Sequence, residues 1–211
     1  MAQVAGALTA IVRAVSQMLQ PGPLSSAAVA EHHDESGVVG RRWSSSRAGA
    51  SVEGSDPFDL RSRFCSTYRK DFDTALREIR AGRKRSCWSW YIFPTNPYVV
   101  NGVERGSGTN SHYALRDRSP NNLRGDDAAR AYLKFEADGV NLRQHYMTMM
   151  EAVAEQLEGG IDPVRLVGVL DDPKLRSSLR LFERVSRDGV DDEVNALCKR
   201  ALAAMKEPLD P

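Results

Sequence analysis

DPFDLRSRFCSTYRKDFDTALREIRAGRKRSCWSWYIFP, residues 56–94, decides how the chain is read. Phe64, Tyr68, Phe72, Ala75, Leu76 and Ile79 recur at three- and four-residue intervals, which places them on one face of an α-helix. Asp56 before Pro57 reads as the helix start: the carboxylate caps open N–H groups, and the fixed φ of proline suits a first turn. One helix, or two short ones, is predicted over about 58–81. Gly82 is its C-cap, and Arg80, Arg83, Lys84 and Arg85 sit where the helix dipole favours cations. Residues 86–93 then read as extended or irregular, ended by Pro94 and Pro97. In an extended strand Trp88 and Trp90 share one face, and Tyr91 and Phe93 take the other.

Helical periodicity continues downstream. Ala129, Tyr132 and Leu133 face one way, and Leu142, Tyr146, Met149, Met150, Val153 and Leu157 form a long stripe ending at Gly159-Gly160. Asp162-Pro163 and Asp172-Pro173 repeat the Asp-Pro start, the second before Leu175, Leu179, Phe182 and Val185. A last helix carries Val194, Leu197, Cys198, Ala201, Leu202 and Met205. Residues 95–125 are rich in Gly and Asn, and an irregular segment of that length is often functional. Val99-Val100 and Tyr113-Ala114-Leu115 are predicted as short strands within it. The apolar stripes can be buried only against one another. The expected fold is therefore mainly α: a single compact helical domain over 56–205, with a long irregular loop, one or two short strands and a tail at 206–211. The uneven spacing of the Asp-Pro pairs excludes a repeat architecture.

The chain has 211 residues, 41% of them hydrophobic and 27% charged, enough for a packed core. No apolar run is long enough to span a bilayer. The net charge is +1 and is carried by the first fifty residues, so the rest is neutral. Neutrality argues against non-specific nucleic-acid binding, although residues 61–85 hold nine cations against three acids. Cys65, Cys87 and Cys198 show no CxxC spacing and suit a reducing compartment. Residues 1–43 combine a helical apolar stripe with Ser, Ala and Arg and have no acid before Glu31; they read as an organellar transit peptide, cleaved near Trp43. Arg41-Arg42-Trp43-Ser44 points to the mitochondrion. The alternatives are the chloroplast, or the cytoplasm if the segment is only a disordered tail. Residues 44–55 read as a linker.

Candidate chemistry centres on the cations and indoles after Ile79. Arg83, Lys84 and Arg85 are suited to a phosphate or carboxylate, and Trp88 and Trp90 offer flat faces to a base or sugar. The same residues equally cap a helix and fill a core. Lys174, Ser177 and Ser178 stand on the first turns of a helix, where N–H groups favour anions. Gly106-Ser107-Gly108-Thr109-Asn110 lacks the Lys-Ser/Thr of a phosphate loop and reads as a turn. His112, Asp171 and Cys87 are the acid–base candidates, with Cys87 read first as a buried inert thiol. His112 and His145 have no ligand-spaced partners, so no metal is expected, and no cofactor is indicated.

From Asp56 onward the chain resembles a family of uncharacterised helical domains, domain of unknown function 1810, some members of which carry a misapplied calpastatin label. The resemblance rests on Asp56-Pro57-Phe58-Asp59-Leu60, on Gly82-Arg83-Lys84-Arg85-Ser86 with Trp88-Ser89-Trp90-Tyr91-Ile92-Phe93-Pro94, and on Lys174-Leu175-Arg176-Ser177-Ser178 with Leu181-Phe182. Tyr113-Ala114-Leu115 and Ala131-Tyr132-Leu133 extend it. It implies a helical fold and supplies no activity, substrate or cofactor. The family's pattern has His where this chain has Cys87 and Gln where it has Thr95, and the stretch from Asn96 to Asn110 is longer than usual.

The reading that follows is a helical protein binding a small anionic or nucleotide-like ligand at Arg83, Lys84, Arg85, Trp88 and Trp90, with Lys174 and Arg176 as further candidates and the 95–125 loop as one wall. Its rivals are an enzyme acting on a nucleotide or ADP-ribose-like substrate and a subunit of a mitochondrial assembly that docks a protein partner through that loop.

Overall fold

The opening stripe folds as a helix with one change of pitch. The computed structural model describes residues 55–119 and 122–206, so the leader lies outside the described residues. A π-helical turn, Arg61–Cys65, runs directly into α1, Ser66–Arg80. The wider turn brings the adjacent Phe64 and Cys65 into the core together with Leu60 and Tyr68. Asp56 caps this start from a distance, accepting the backbone N–H groups of Leu60 and Arg61, each at 2.8 Å. Pro57 is thus not in the first turn, because Asp59 at φ 54° first swings the chain round. At the other end Gly82, at φ 74°, donates its N–H to the Ile79 carbonyl, and Arg83 donates to that of Glu78. This is a Schellman closure, and the left-handed φ is why glycine stands there.

Residues 86–93 form no strand. Ser89–Ile92 winds into a helical turn, α2. Trp88, Tyr91 and Ile92 therefore point inward at helical spacing, and Trp90 is left half-buried on another side. The expected sharing of one face by the two tryptophans is lost, because three bulky side chains reach the core only if the backbone coils.

The 95–125 segment is more ordered than its composition suggests. β1 (Val99–Val100) pairs antiparallel with β2 (Val103–Glu104) around Asn101-Gly102, both at positive φ as a type I′ turn requires. Ser107 caps α3 (Gly108–Tyr113), accepting the Asn110 N–H at 3.2 Å. Tyr113 thus ends a helix, and the strand expected at 113–115 does not form; the Leu115 N–H instead bonds the Thr95 carbonyl at 2.8 Å. Arg63 ties this region to the helix start through the carbonyls of Phe58, His112 and Ala114. Gly125, at φ 71°, leads into α4 (Asp126–Tyr132), where a Cβ would lie 2.3 Å from the Leu115 carbonyl oxygen. Asp117 caps α4 through the N–H groups of Asp127 and Ala128.

A second hairpin, β3 (Glu136–Ala137) with β4 (Val140–Asn141), turns on Asp138-Gly139 and leads into α5 (Leu142–Glu158). Three helices follow: α6 (Pro163–Val167), α7 (Asp172–Val185) and α8 (Asp192–Ala204). Asp162 caps α6 as the Asp-Pro pair predicts. Asp172 does not cap α7; its carboxylate holds Arg176 at 3.0 Å.

The described residues thus form a mainly helical domain of eight α-helices with two small antiparallel hairpins. Helix α8 packs on α5 and α7, α1 lies on α5, and α4 lies on α7. Tyr132 sits among them, its ring edge-on to Phe64 at 5.3 Å and 5.3 Å from Phe182, its hydroxyl 2.6 Å from that of Tyr68. No described helix is long and apolar enough to cross a membrane.

Candidate functional site

The RKRSCWSW segment is held from below by one carboxylate. Glu78, in the last turns of α1, accepts the backbone N–H groups of Arg85 and Ser86, the Ser86 hydroxyl, and the Trp88 indole N–H at 2.8 Å. Burial works against the charged carboxyl, but these donors together outweigh it and draw its pKa down to about 2. Trp88 is 1% exposed and edge-on to Phe93 at 5.4 Å, so its ring belongs to the core. Arg83 and Arg85 are exposed around this anchor.

Lys84 leaves the segment in a different direction. Its N–H bonds the Leu166 carbonyl at 2.7 Å, its ammonium meets Asp171 Oδ2 at 2.7 Å, and the same ammonium stands 5.2 Å over the Trp88 ring. Ser89 donates to the other oxygen, Asp171 Oδ1, at 2.7 Å. Asp171 therefore joins the signature segment to the start of α7.

One turn further on, Lys174 extends over Trp90 at 4.9 Å and donates to Asn110 Oδ1 at 3.2 Å. Among the described residues no carboxylate lies within ion-pair reach of it. Burial lowers its pKa to about 8, and Lys84 adds to this against the opposing pull of Asp171. Lys174 stands on the wall of a cleft of about 750 Å³. The 95–125 loop also lines it, through Asn96, Tyr98, Asn110, Leu123 and Arg124, as does Leu170. Polar amides and the hydroxyls of Thr95, Tyr98 and Ser177 are interspersed with apolar rings and alkyl groups, a lining suited to a small organic molecule.

Of the residues singled out from sequence, Lys84, Trp90 and Lys174 converge beside this cleft, and only Lys174 lines it. Arg83, Arg85 and Trp88 are not in its lining, and Arg176 is paired with Asp172. Cys87 is exposed, not the buried thiol expected, because α2 turns Trp88 inward immediately after it. His112 is exposed at the end of α3, away from the cleft lining, and His145 packs against Phe72 at 4.4 Å. Asn110, Tyr98 and Arg124 are contributions that residue typing missed; the unusual length of the 95–125 loop was the signal that contained them. No group of three or more metal-ligating side chains occurs among the described residues.

The fold and this cleft define a mainly helical domain in which a loop wall faces the start of a long helix. The sequence pattern described as "Protein of unknown function (DUF1810)" matches residues 57–206, and the chain belongs to that family. The structure is similar to the crystal structure of the conserved hypothetical protein Rv1873 from Mycobacterium tuberculosis, with a TM-score of 0.52 and 25% sequence identity. The match covers 72% of this chain and 100% of that one. Comparison with functionally curated proteins finds no match.

Proposed function

We propose that the protein binds a small organic anion in the cleft between the 95–125 loop and the start of α7, with Lys174 as the charge that receives it. The observation that carries this reading is the Lys174 ammonium: it stands on the wall of a cleft of about 750 Å³, with an amide oxygen and an indole face beside it and, among the described residues, no carboxylate in ion-pair contact. A ligand phosphate or carboxylate supplies the missing charge. Asp171, Lys84 and Ser89 hold the base of the site, and Trp90 backs the ammonium. Tyr98, 62% exposed on the cleft rim, offers a ring to a nucleotide-like or sugar-like ligand.

The test is thermal unfolding against inorganic phosphate, pyrophosphate, nucleotides, ADP-ribose and sugar phosphates. A ligand at about 100 times its Kd adds about 2.7 kcal/mol, a rise of roughly 5–10 °C for a domain of this size. The rise is expected to disappear in Lys174→Ala and to survive in an Arg83→Ala/Arg85→Ala double variant. No rise across the panel, or an equal rise in Lys174→Ala, overturns the reading.

A second reading, docking of a protein partner on the loop, is favoured by the exposure of Tyr98, Val100 and Val103 along the first hairpin. Its mark is a complex, seen by light scattering with a purified candidate partner, that Val103→Ser weakens without changing the ligand-induced rise.

A further inference from the structure

We propose that Lys174 is a nucleophilic amine that captures the carbonyl carbon of a small oxo acid as an imine, a deepening that rests on the cleft being an anion site. The geometry supplies three parts. The first is access: Nζ stands on the cleft wall, with Asn110 Oδ1 at 3.2 Å and the Trp90 ring at 4.9 Å. The second is an amine whose charged form is poorly compensated. Of the two carboxylates just before it in sequence, Asp172 is held by Arg176 at 3.0 Å, and the two oxygens of Asp171 are engaged by Lys84 and Ser89, each at 2.7 Å. Burial lowers the Lys174 pKa from 10.5 to about 8 against the opposing pull of Asp171, with the Lys84 ammonium adding to the fall. At neutral pH about a tenth of the amine is then unprotonated, against under about a thousandth for an ordinary lysine, and only the neutral form attacks a carbonyl.

The third part is a second cation on the same cleft. Arg124 lines it with its side chain 68% exposed; the guanidinium meets Asp126 Oδ2 through Nε at 3.2 Å, and among the described residues its terminal nitrogens make no hydrogen bond. Its terminal nitrogens remain for a carboxylate. An oxo acid carries both complementary groups, an anion for Arg124 and an electrophilic carbon for Lys174. Pyrophosphate and simple carboxylates carry only the first.

In the reaction the amine nitrogen bonds to the carbonyl carbon, and the carbonyl π pair moves to oxygen, which takes the proton that nitrogen releases. The resulting carbinolamine loses this oxygen as water while the C=N bond forms. Amine plus carbonyl gives imine plus one water, with no change of oxidation state.

The experiment treats the full chain with pyruvate as the probe, adds sodium borohydride, and reads intact mass and peptide maps. The expected result is one reduced adduct per chain, on Lys174, absent from Lys174→Arg and blocked in the unaltered protein by excess pyrophosphate. The pyrophosphate arm keeps the result readable should the Lys174 variant fold poorly. At limiting pyruvate Arg124→Gln is expected to lower the yield by about tenfold, the loss of one charge-assisted contact. Adducts spread over several lysines and unchanged by Lys174→Arg overturn the proposal. The same samples are scanned by thermal unfolding: anion-induced stabilisation that depends on Lys174, without trapping, overturns imine formation alone. Neither stabilisation nor trapping overturns both readings.

Discussion

Replacing Glu78 tests whether one carboxylate holds the signature segment onto α1. It receives four donors, from Arg85, Ser86 (two) and Trp88, and its pKa falls from 4.5 to about 2. That displacement corresponds to about 3.4 kcal/mol at about 1.36 kcal/mol per pKa unit, and partial solvent exposure of the carboxyl reduces it to about 1–2 kcal/mol. Because the folded pKa lies below the unfolded one, this stabilisation is complete above about pH 4.5 and is lost as pH falls towards about 2. Glu78→Gln keeps an acceptor oxygen and loses the charge. It should cost about 1–2 kcal/mol near pH 7, and the gap to the unaltered protein should narrow steadily between about pH 4.5 and pH 3. Glu78→Ala also strands the Trp88 indole N–H in the core and should cost about 1–3 kcal/mol more. Urea denaturation followed by tryptophan fluorescence measures both. A Glu78→Gln gap that stays constant down to about pH 3, or a Glu78→Ala cost under about 0.5 kcal/mol, would refute the assignment of this carboxylate as the anchor.

Other consequences of the fold can be measured in the same way. Tyr68→Phe and Tyr132→Phe should each cost about 1–2 kcal/mol by leaving a buried hydroxyl without its 2.6 Å partner, and the double variant should cost less than their sum in a denaturation cycle. Gly125→Ala should cost more than about 2 kcal/mol, because a left-handed φ and the Leu115 carbonyl at 2.3 Å both oppose a Cβ; thermal unfolding decides it, and a change under about 0.5 kcal/mol counts against that backbone path. We also propose that residues 1–43 are an organellar address removed near Trp43. Edman or mass-spectrometric sequencing of native protein should then find a terminus close to Trp43, and an intact Met1 or Ala2 terminus refutes it.

The helices were legible wherever a stripe was long. Leu142 to Leu157 and Val194 to Met205 were readable because burial of one face imposes the 3.6-residue period on sequence itself. Gly82 was readable because a Schellman closure demands a left-handed residue. Short elements were not. The turn at Ser89–Ile92 spans four residues, too few to display a period, so from sequence it reads as extended or irregular. Asn101-Gly102 and Asp138-Gly139 did carry hairpin signals, but the two-residue strands beside them left no alternation to support either.

The site divides along the same line. Sequence by itself determined that Arg83, Lys84, Arg85, Trp88 and Trp90 lie together and that Lys174 belongs to a later helix start, since chain adjacency and local periodicity are properties of sequence. Which of these side chains meet was decided only by tertiary packing. Glu78 draws the Trp88 indole inward. Asp171, an acid–base candidate from sequence, is instead a tether for Lys84 and Ser89. That tether leaves Lys174 without a carboxylate in ion-pair contact among the described residues, in a cleft that Arg124 and Tyr98 also line. The physical reason is that a charge's partner is set by distance in space and by competition for the same oxygens, and both depend on how α1, α2 and α7 pack.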